Sequence, residues 1–213
     1  KDNLRRTPKS LETPKYKVVR TLDGPDFLGE PEPIEIRSYE EFKVARMPIA
    51  GGFGSSAAGA EGFQTLAAYL FGGNEQKENM AMTTPVETRA DSMAFVLPRA
   101  YADAPPAPLA SSKVEVGTVP ARLVAAKPFA GLVTDDEISR QKAKLIEVIK
   151  ADASLTMAED VEVSVLQYNG PFTIPWRRRN EVAIVVEEAA AEGGVEAEVD
   201  GGVVSWYDSG VRL

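Results

Sequence analysis

Two groups of side chains in this sequence are of types that can hold a ligand. In NMAMTTPVETR, residues 79–89, Met80 and Met82 flank a single alanine; in PWRRRNEVAI, residues 175–184, Trp176 stands beside Arg177, Arg178 and Arg179. A thioether is a soft metal ligand and also a flexible filler of irregular core gaps. A tryptophan beside guanidinium groups stacks on planar rings while the cations clamp carboxylates through charge-assisted hydrogen bonds. The other reading of the arginines is a strand start whose charges neutralise nearby acids. The stronger anchors are missing: the 213 residues contain no histidine and no cysteine. That removes Ser-His-Asp and Cys-His nucleophilic catalysis, disulfides, zinc fingers and iron–sulfur clusters.

The remaining polar groups point to no reaction. Paired carboxylates occur at Asp135/Asp136, Glu159/Asp160 and Glu187/Glu188, without a sequence partner suited to acid–base work. The first pair suits the opening turn of a helix, where negative charge complements the dipole. GGFGSSAAGAEG, residues 51–62, is glycine-rich ahead of a helix but lacks Gly-Lys-Ser/Thr and G-x-G-x-x-G, so it reads as a flexible lip rather than a phosphate cradle. The net charge of −8 argues against nucleic acid as a partner. No apolar run approaches a membrane span; the longest local cluster is LAAYLF, 66–71. The basic, polar opening KDNLRRTPK has the composition of a stub left by a removed targeting peptide, or of a plain chain boundary.

The strands and helices around these groups come in two copies. IEIRSYEEFKVARMPIAG (34–51) lies over VEVGTVPARLVAAKPFAG (114–131) without a gap, with Val44/Val124, Ala45/Ala125, Pro48/Pro128 and Gly51/Gly131 identical. Each copy begins with the two-residue alternation of half-buried strands, and a second strand ends at the proline. A helix follows over 57–71, with Phe63, Leu66, Ala67, Leu70 and Phe71 as its apolar stripe and FGGN as its stop. In the second copy Thr134 and Glu137 form the signature of a capping box, and Ile138, Leu145, Ile146 and Ile149 make the stripe. Two more strands close each copy: MTTPVETR and SMAFVLP, then VEVSVLQY and NEVAIVVE. This predicts an α+β fold of two pseudo-symmetric ββαββ halves, about 11–98 and 113–188, joined by the Ala/Pro linker at 99–112. Residues 1–10 form a tail, and 189–213 a glycine-rich, acidic extension.

IEIRSYEEFKVA, FQTLAAYLFGGN, MAMTTPV and RRNEVAI together resemble the SOUL/haem-binding protein family, and LETPKYKVV (11–19) is similar to its plant chloroplast branch. The blocks span roughly 11–188, and the pattern N-x(5)-M-x-M-T-x-P-V is the most specific of them. The resemblance implies a distorted antiparallel β-barrel flanked by two helices. It also implies binding of haem or another tetrapyrrole in a shallow apolar groove against the first long helix.

With no histidine, binding must rest on apolar contacts and basic residues, or on weak ligation by Met, Tyr or Lys. The groove residues expected are Phe53, Phe63, Leu66, Leu70 and Met80, with Lys43, Arg46, Lys77 and Arg177–Arg179 facing the propionates and Trp176 stacking. Phe63, Leu66 and Leu70 also fit simple packing on the sheet, and Lys43 fits a solvated strand face. The alternation from Met82 through Val86 makes that segment a strand entry, with Met82 pointing into the barrel, Pro85 at the strand beginning and Met80 left nearer the ligand. The expected function is non-enzymatic tetrapyrrole buffering or carrying, in a chloroplast or alternatively the cytoplasm. The alternative is a structural or interaction protein with weak or lost haem binding. Its extended termini, including Trp206 and Tyr207, would attach it to a protein partner, a plastid membrane or a lipid body.

Overall fold

Strands with apolar residues at alternate positions need a face to bury them on, and two amphipathic helices supply it. The structure, a computed structural model, describes residues 11–27, 30–53 and 56–189; the tail 1–10 and nearly all of the 189–213 extension, with Trp206 and Tyr207, lie outside the described residues. In chain order the elements are β1 (Tyr16–Phe27), β2 (Glu30–Tyr39), β3 (Phe42–Pro48), α1 (Ser56–Leu70), β4 (Val86–Thr88), β5 (Ser92–Val96), β6 (Glu115–Val119), β7 (Arg122–Phe129), α2 (Asp135–Ala151), β8 (Leu155–Thr156), β9 (Ser164–Gln167) and β10 (Asn180–Glu188). Nine strands form one curled antiparallel half-barrel in the order β1-β2-β7-β10-β9-β4-β5-β3-β6, and β8 attaches to β10 beside this path. The fold is α+β, as expected.

The order shows what the internal repeat does. Exchanging β2 with β6, β3 with β7, β4 with β9 and β5 with β10 turns the path from β2 to β6 into its own reverse. The β4–β9 pair therefore lies on the pseudo-two-fold, with Glu87 opposite Leu166. The first strand of each copy pairs with the second strand of the other, β2 with β7 and β6 with β3. The halves are thus interlocked rather than set side by side.

Both helices cover the convex face. Leu66, Tyr69 and Leu70 of α1 pack with Ala45, Met47, Met93 and Phe95, all buried. Ile138, Leu145 and Ile149 of α2 pack with Ile34, Ile36, Ala125, Val182 and Ile184. The stripe of α1 differs by about one position from the expected one: Phe63 and Phe71 are 40% and 55% exposed. The buried positions are 62, 66, 69 and 70, and position 62 is a glycine that adds nothing to a hydrophobicity pattern. A Cβ on Gly62 would come within 2.9 Å of Ile49 Cγ2, so the missing side chain lets α1 approach β3 and β5 closely. Gly72, at φ +98°, ends the helix where the FGGN stop predicts.

Thr134 caps α2 as expected, its hydroxyl accepting from Glu137 N–H at 3.3 Å. The reciprocal half of the box is not formed, because the Glu137 carboxylate accepts from Gln141 Nε2 (2.7 Å) and pairs with Arg140. Thr134→Ala is expected to cost about 1 kcal/mol in urea unfolding, the usual worth of one such cap; an unchanged midpoint would show the cap to be idle.

Candidate functional site

The concave face of the half-barrel carries the polar residues that alternate with the core. Arg37 on β2 and Glu181 on β10 meet there with side chains only 2% and 1% exposed. Arg37 donates to both carboxylate oxygens of Glu181, Nη1 to Oε2 at 2.6 Å and Nη2 to Oε1 at 2.9 Å. Tyr168 O–H donates to Oε2 at 2.8 Å, and Arg179 donates to Oε1 through Nε at 2.9 Å. The Arg37 and Arg179 guanidiniums lie over the Tyr16 and Tyr168 rings at 4.6 and 4.3 Å. Burial pushes the Glu181 carboxyl upward, but Arg37 and then Arg179 outweigh it and hold Glu181 below the ordinary carboxylate range.

Beside this network the concave face opens into a cavity of about 300 Å³. Its apolar wall includes Phe42, Val96, Val124, Leu166 and Ala183. Its polar residues include Glu87, Arg89, Arg122 and Ser164, and the exposed residues Ala158, Asp160, Glu162 and Val185 form the mouth. Glu87 accepts from Ser164 Oγ at 2.7 Å and from Arg89 Nε at 2.9 Å, and Arg89 Nη1 reaches Glu162 at 2.7 Å. Burial acts on Glu87 in the opposite sense to Arg89, Ser164 and Arg122, and these prevail to lower its pKa.

A second surface lies where the connections into the two helices meet. A Cβ on Gly52 would lie 3.3 Å from Asp135 Oδ1, which places the loop before α1 against the start of α2. Gly131 N–H donates to Pro175 O at 2.9 Å, bringing the 170–179 loop to the same end. Here Leu132 (56%), Phe172 (100%), Ile174 (42%) and Trp176 (68%) are exposed. Arg178 braces the loop from within, donating to Thr173 O (2.8 Å) and Pro171 O (2.7 Å). Arg177 is exposed and has no ion-pair partner among the described residues.

The expected groove residues do not assemble. Leu66, Leu70 and Met80 are 0%, 0% and 2% exposed, in the core beneath α1, so they offer no surface to a ligand in this conformation. Met80 is the more buried of the two methionines, held by its own N–H to Leu70 O at 2.7 Å, while Met82 is half-buried against the same cluster. Phe63 lies edge-on to Phe95 with ring centroids 5.1 Å apart. Phe53 packs with the α2 cluster, not with α1. Lys43 and Arg46 fall on opposite faces of β3; Lys43 Nζ donates to Thr118 Oγ1 at 2.5 Å, and Arg46 is exposed on the concave side. Lys77 sits at φ 54° in the turn after α1, far along the helix from Trp176's loop. Of the three consecutive arginines, Arg178 and Arg179 are committed inward, and only Arg177 and Trp176 present themselves outward.

The motif N-x(5)-M-x-M-T-x-P-V proves to be structural. Asn74, 2% exposed, donates through Nδ2 to Tyr69 O (3.0 Å) and Glu78 O (2.8 Å) and accepts from Glu78 N–H (2.9 Å). Thr83 and Thr84 hydroxyls donate to Val96 O (2.5 Å) and Tyr168 O (3.2 Å), tying the entry of β4 to both neighbouring strand ends.

Sequence reasoning missed Arg37, Glu87, Arg122 and Glu181. The only available signal was their position opposite apolar residues in alternating strands, which reads as solvent exposure. Among the described residues there is no group of three or more acidic side chains placed to hold a metal ion, and no helix long and apolar enough to cross a membrane.

The chain belongs to the SOUL heme-binding protein family, whose model matches residues 11–185. No curated protein matches it. Among solved structures it is similar to the EcmrR–DNA complex in EcmrR-RPo, with TM-score 0.54 and 9% identity over 73% of this chain and 57% of that one. The EcmrR C-terminal domain is similar at TM-score 0.52 and 10% identity, over 73% of this chain and 98% of that one. A hydrolase from Listeria innocua is similar at 0.51 and 10%, over 72% and 91%. The chain thus spans just over half of the EcmrR chain in the complex, and at these identities the likenesses show the fold alone.

Proposed function

We propose that this protein binds and carries a tetrapyrrole without transforming it, seating one face of the macrocycle on the exposed apolar end formed by Leu132, Phe172, Ile174 and Trp176. The supporting observation is an outward tryptophan among exposed apolar side chains, directly followed by an uncommitted arginine. Trp176 would stack on the ring and Arg177 would pair with a propionate. A bound haem would supply its iron chemistry, but this chain offers that iron no histidine or thiolate, and Met80 is buried. The residues present fit a porphyrin held by its face and its carboxylates, with or without metal. Covering on the order of 200 Å² of apolar ring at ~25 cal/mol per Å² gives about 5 kcal/mol before association costs, and an exposed ion pair adds under about 1 kcal/mol. Binding is therefore weak: about 6 kcal/mol in all corresponds to a Kd of roughly 40 μM, and association costs weaken it further. The similarity of residues 11–19 to the chloroplast branch is the ground for placing the protein in that organelle.

Titration of the whole chain with haemin and with iron-free protoporphyrin should give saturable Soret changes of comparable affinity, and the pigment should be recovered unaltered. Trp176→Ala with Arg177→Ala should weaken both at least tenfold. Absence of saturation up to the solubility limit would refute tetrapyrrole binding, and an unchanged affinity in the double variant would remove it from this surface.

A further inference from the structure

The concave cavity lies on the face of the sheet opposite the helices, and the tetrapyrrole surface has no use for it. At about 300 Å³ it is at the small end of ligand pockets and cannot enclose a macrocycle. Its electrostatics are unbalanced in one specific way. Glu87 and Arg89 are mutually satisfied, with Ser164 and Glu162 completing their hydrogen bonds. Arg122, at the start of β7, has no such closure: its Nε is buried without a hydrogen-bond partner. It attracts Glu87, but Arg89 and Arg46 act on it as like charges. Arg122 has no carboxylate partner of its own among the described residues, and the remaining N–H groups of this half-buried guanidinium on the cavity wall fit the fork of a carboxylate. The apolar part of the wall, Phe42, Val96, Val124 and Leu166, fits an apolar body.

We propose that this cavity is a second binding site, for a small organic anion with a carboxylate head on Arg122 and an aliphatic or aromatic body against Val124 and Leu166. The acidic mouth at Asp160 and Glu162 makes a cationic amphiphile the competing occupant, and the experiment separates the two. Calorimetric titration of the whole chain with octanoate, octan-1-ol and octylamine should show saturable binding of octanoate, at least tenfold tighter than of either analogue. Arg122→Gln should lower octanoate affinity at least tenfold while leaving the haemin titration unchanged, since the two sites occupy different faces. Tighter binding of octylamine, equal binding of octan-1-ol, or no saturation by octanoate in the wild-type chain would each overturn the proposal, whatever the variant's folding. Octanoate affinity unaltered by Arg122→Gln would do the same. Stoichiometric displacement of octanoate by haemin would overturn the site's independence and move the tetrapyrrole into the cavity.

Discussion

Glu181→Ala is expected to destabilise the protein by about 3–5 kcal/mol, the cost of removing one partner from a buried, hydrogen-bonded ion pair. The truncation would strand Arg37, whose side chain is 2% exposed, and would take from Tyr168 O–H and Arg179 the acceptor they share. Glu35 would remain to Arg37 Nε at 2.7 Å, which compensates one arm of the guanidinium but not the two aimed at Glu181. Replacing both members, Arg37→Met with Glu181→Met, should cost less than the single change, because no uncompensated charge is left in the interior. Urea unfolding measures both variants, and a Glu181→Ala loss below about 0.5 kcal/mol would show that water already solvates the site. The pH dependence has a definite sign. The folded-state pKa of Glu181 is depressed, burial being overcome by Arg37 and Arg179, so its contribution is complete above the unfolded carboxylate value. It disappears as pH falls through the folded value. Wild-type stability should therefore decline on acidification below the ordinary carboxylate range, with a shallower decline in Glu181→Gln. Glu87, depressed in the same sense, adds to the acid limb in both proteins.

Asn74→Ala is expected to cost about 2–4 kcal/mol, since it removes three hydrogen bonds to backbone groups and leaves buried donors and acceptors unmet at ~1–3 kcal/mol for each fully buried one. The loop it braces returns the chain from the end of α1 to Met80, whose N–H donates to Leu70 O and whose side chain fills the core beneath the helix. Faster hydrogen exchange at Met80 should accompany the loss, because the loop that carries this amide is released. Asn74→Asp should fare little better, as it keeps the acceptor for Glu78 N–H but faces two carbonyls with a carboxylate. A variant as stable as wild type, with Met80 exchange unchanged, would refute the bracing role.

The same residues mark how far the sequence could be read. The helices were legible because Leu66, Leu70, Leu145 and Ile149 repeat with the period of the helix, and local chemistry at Thr134 and Gly72 sets two of their ends. The repeat was legible because duplicated segments keep their apolar positions. The family motif was legible too, although its asparagine, methionine and threonines act on the backbone and the core rather than on a ligand. The rotated stripe of α1 was not legible, since Gly62 packs tightly yet contributes no hydrophobic signal.

Residue type and short-range period are enough to specify the α+β class, the two helices, the doubled ββαββ order and the absence of histidine or thiolate chemistry. Which strand of each copy pairs with the other copy, and the curl of the sheet, emerge from contacts made in three dimensions. Curling matters most for the site. Alternation puts Arg37, Glu87, Arg122 and Glu181 opposite the core face, which in a flat one-sided sheet would mean solvent. Because the sheet closes toward a half-barrel, that second face is also withdrawn from water, and charges that looked solvated become a buried network beside a cavity. Curvature arises from contacts between strands distant in the chain, so no local pattern records it.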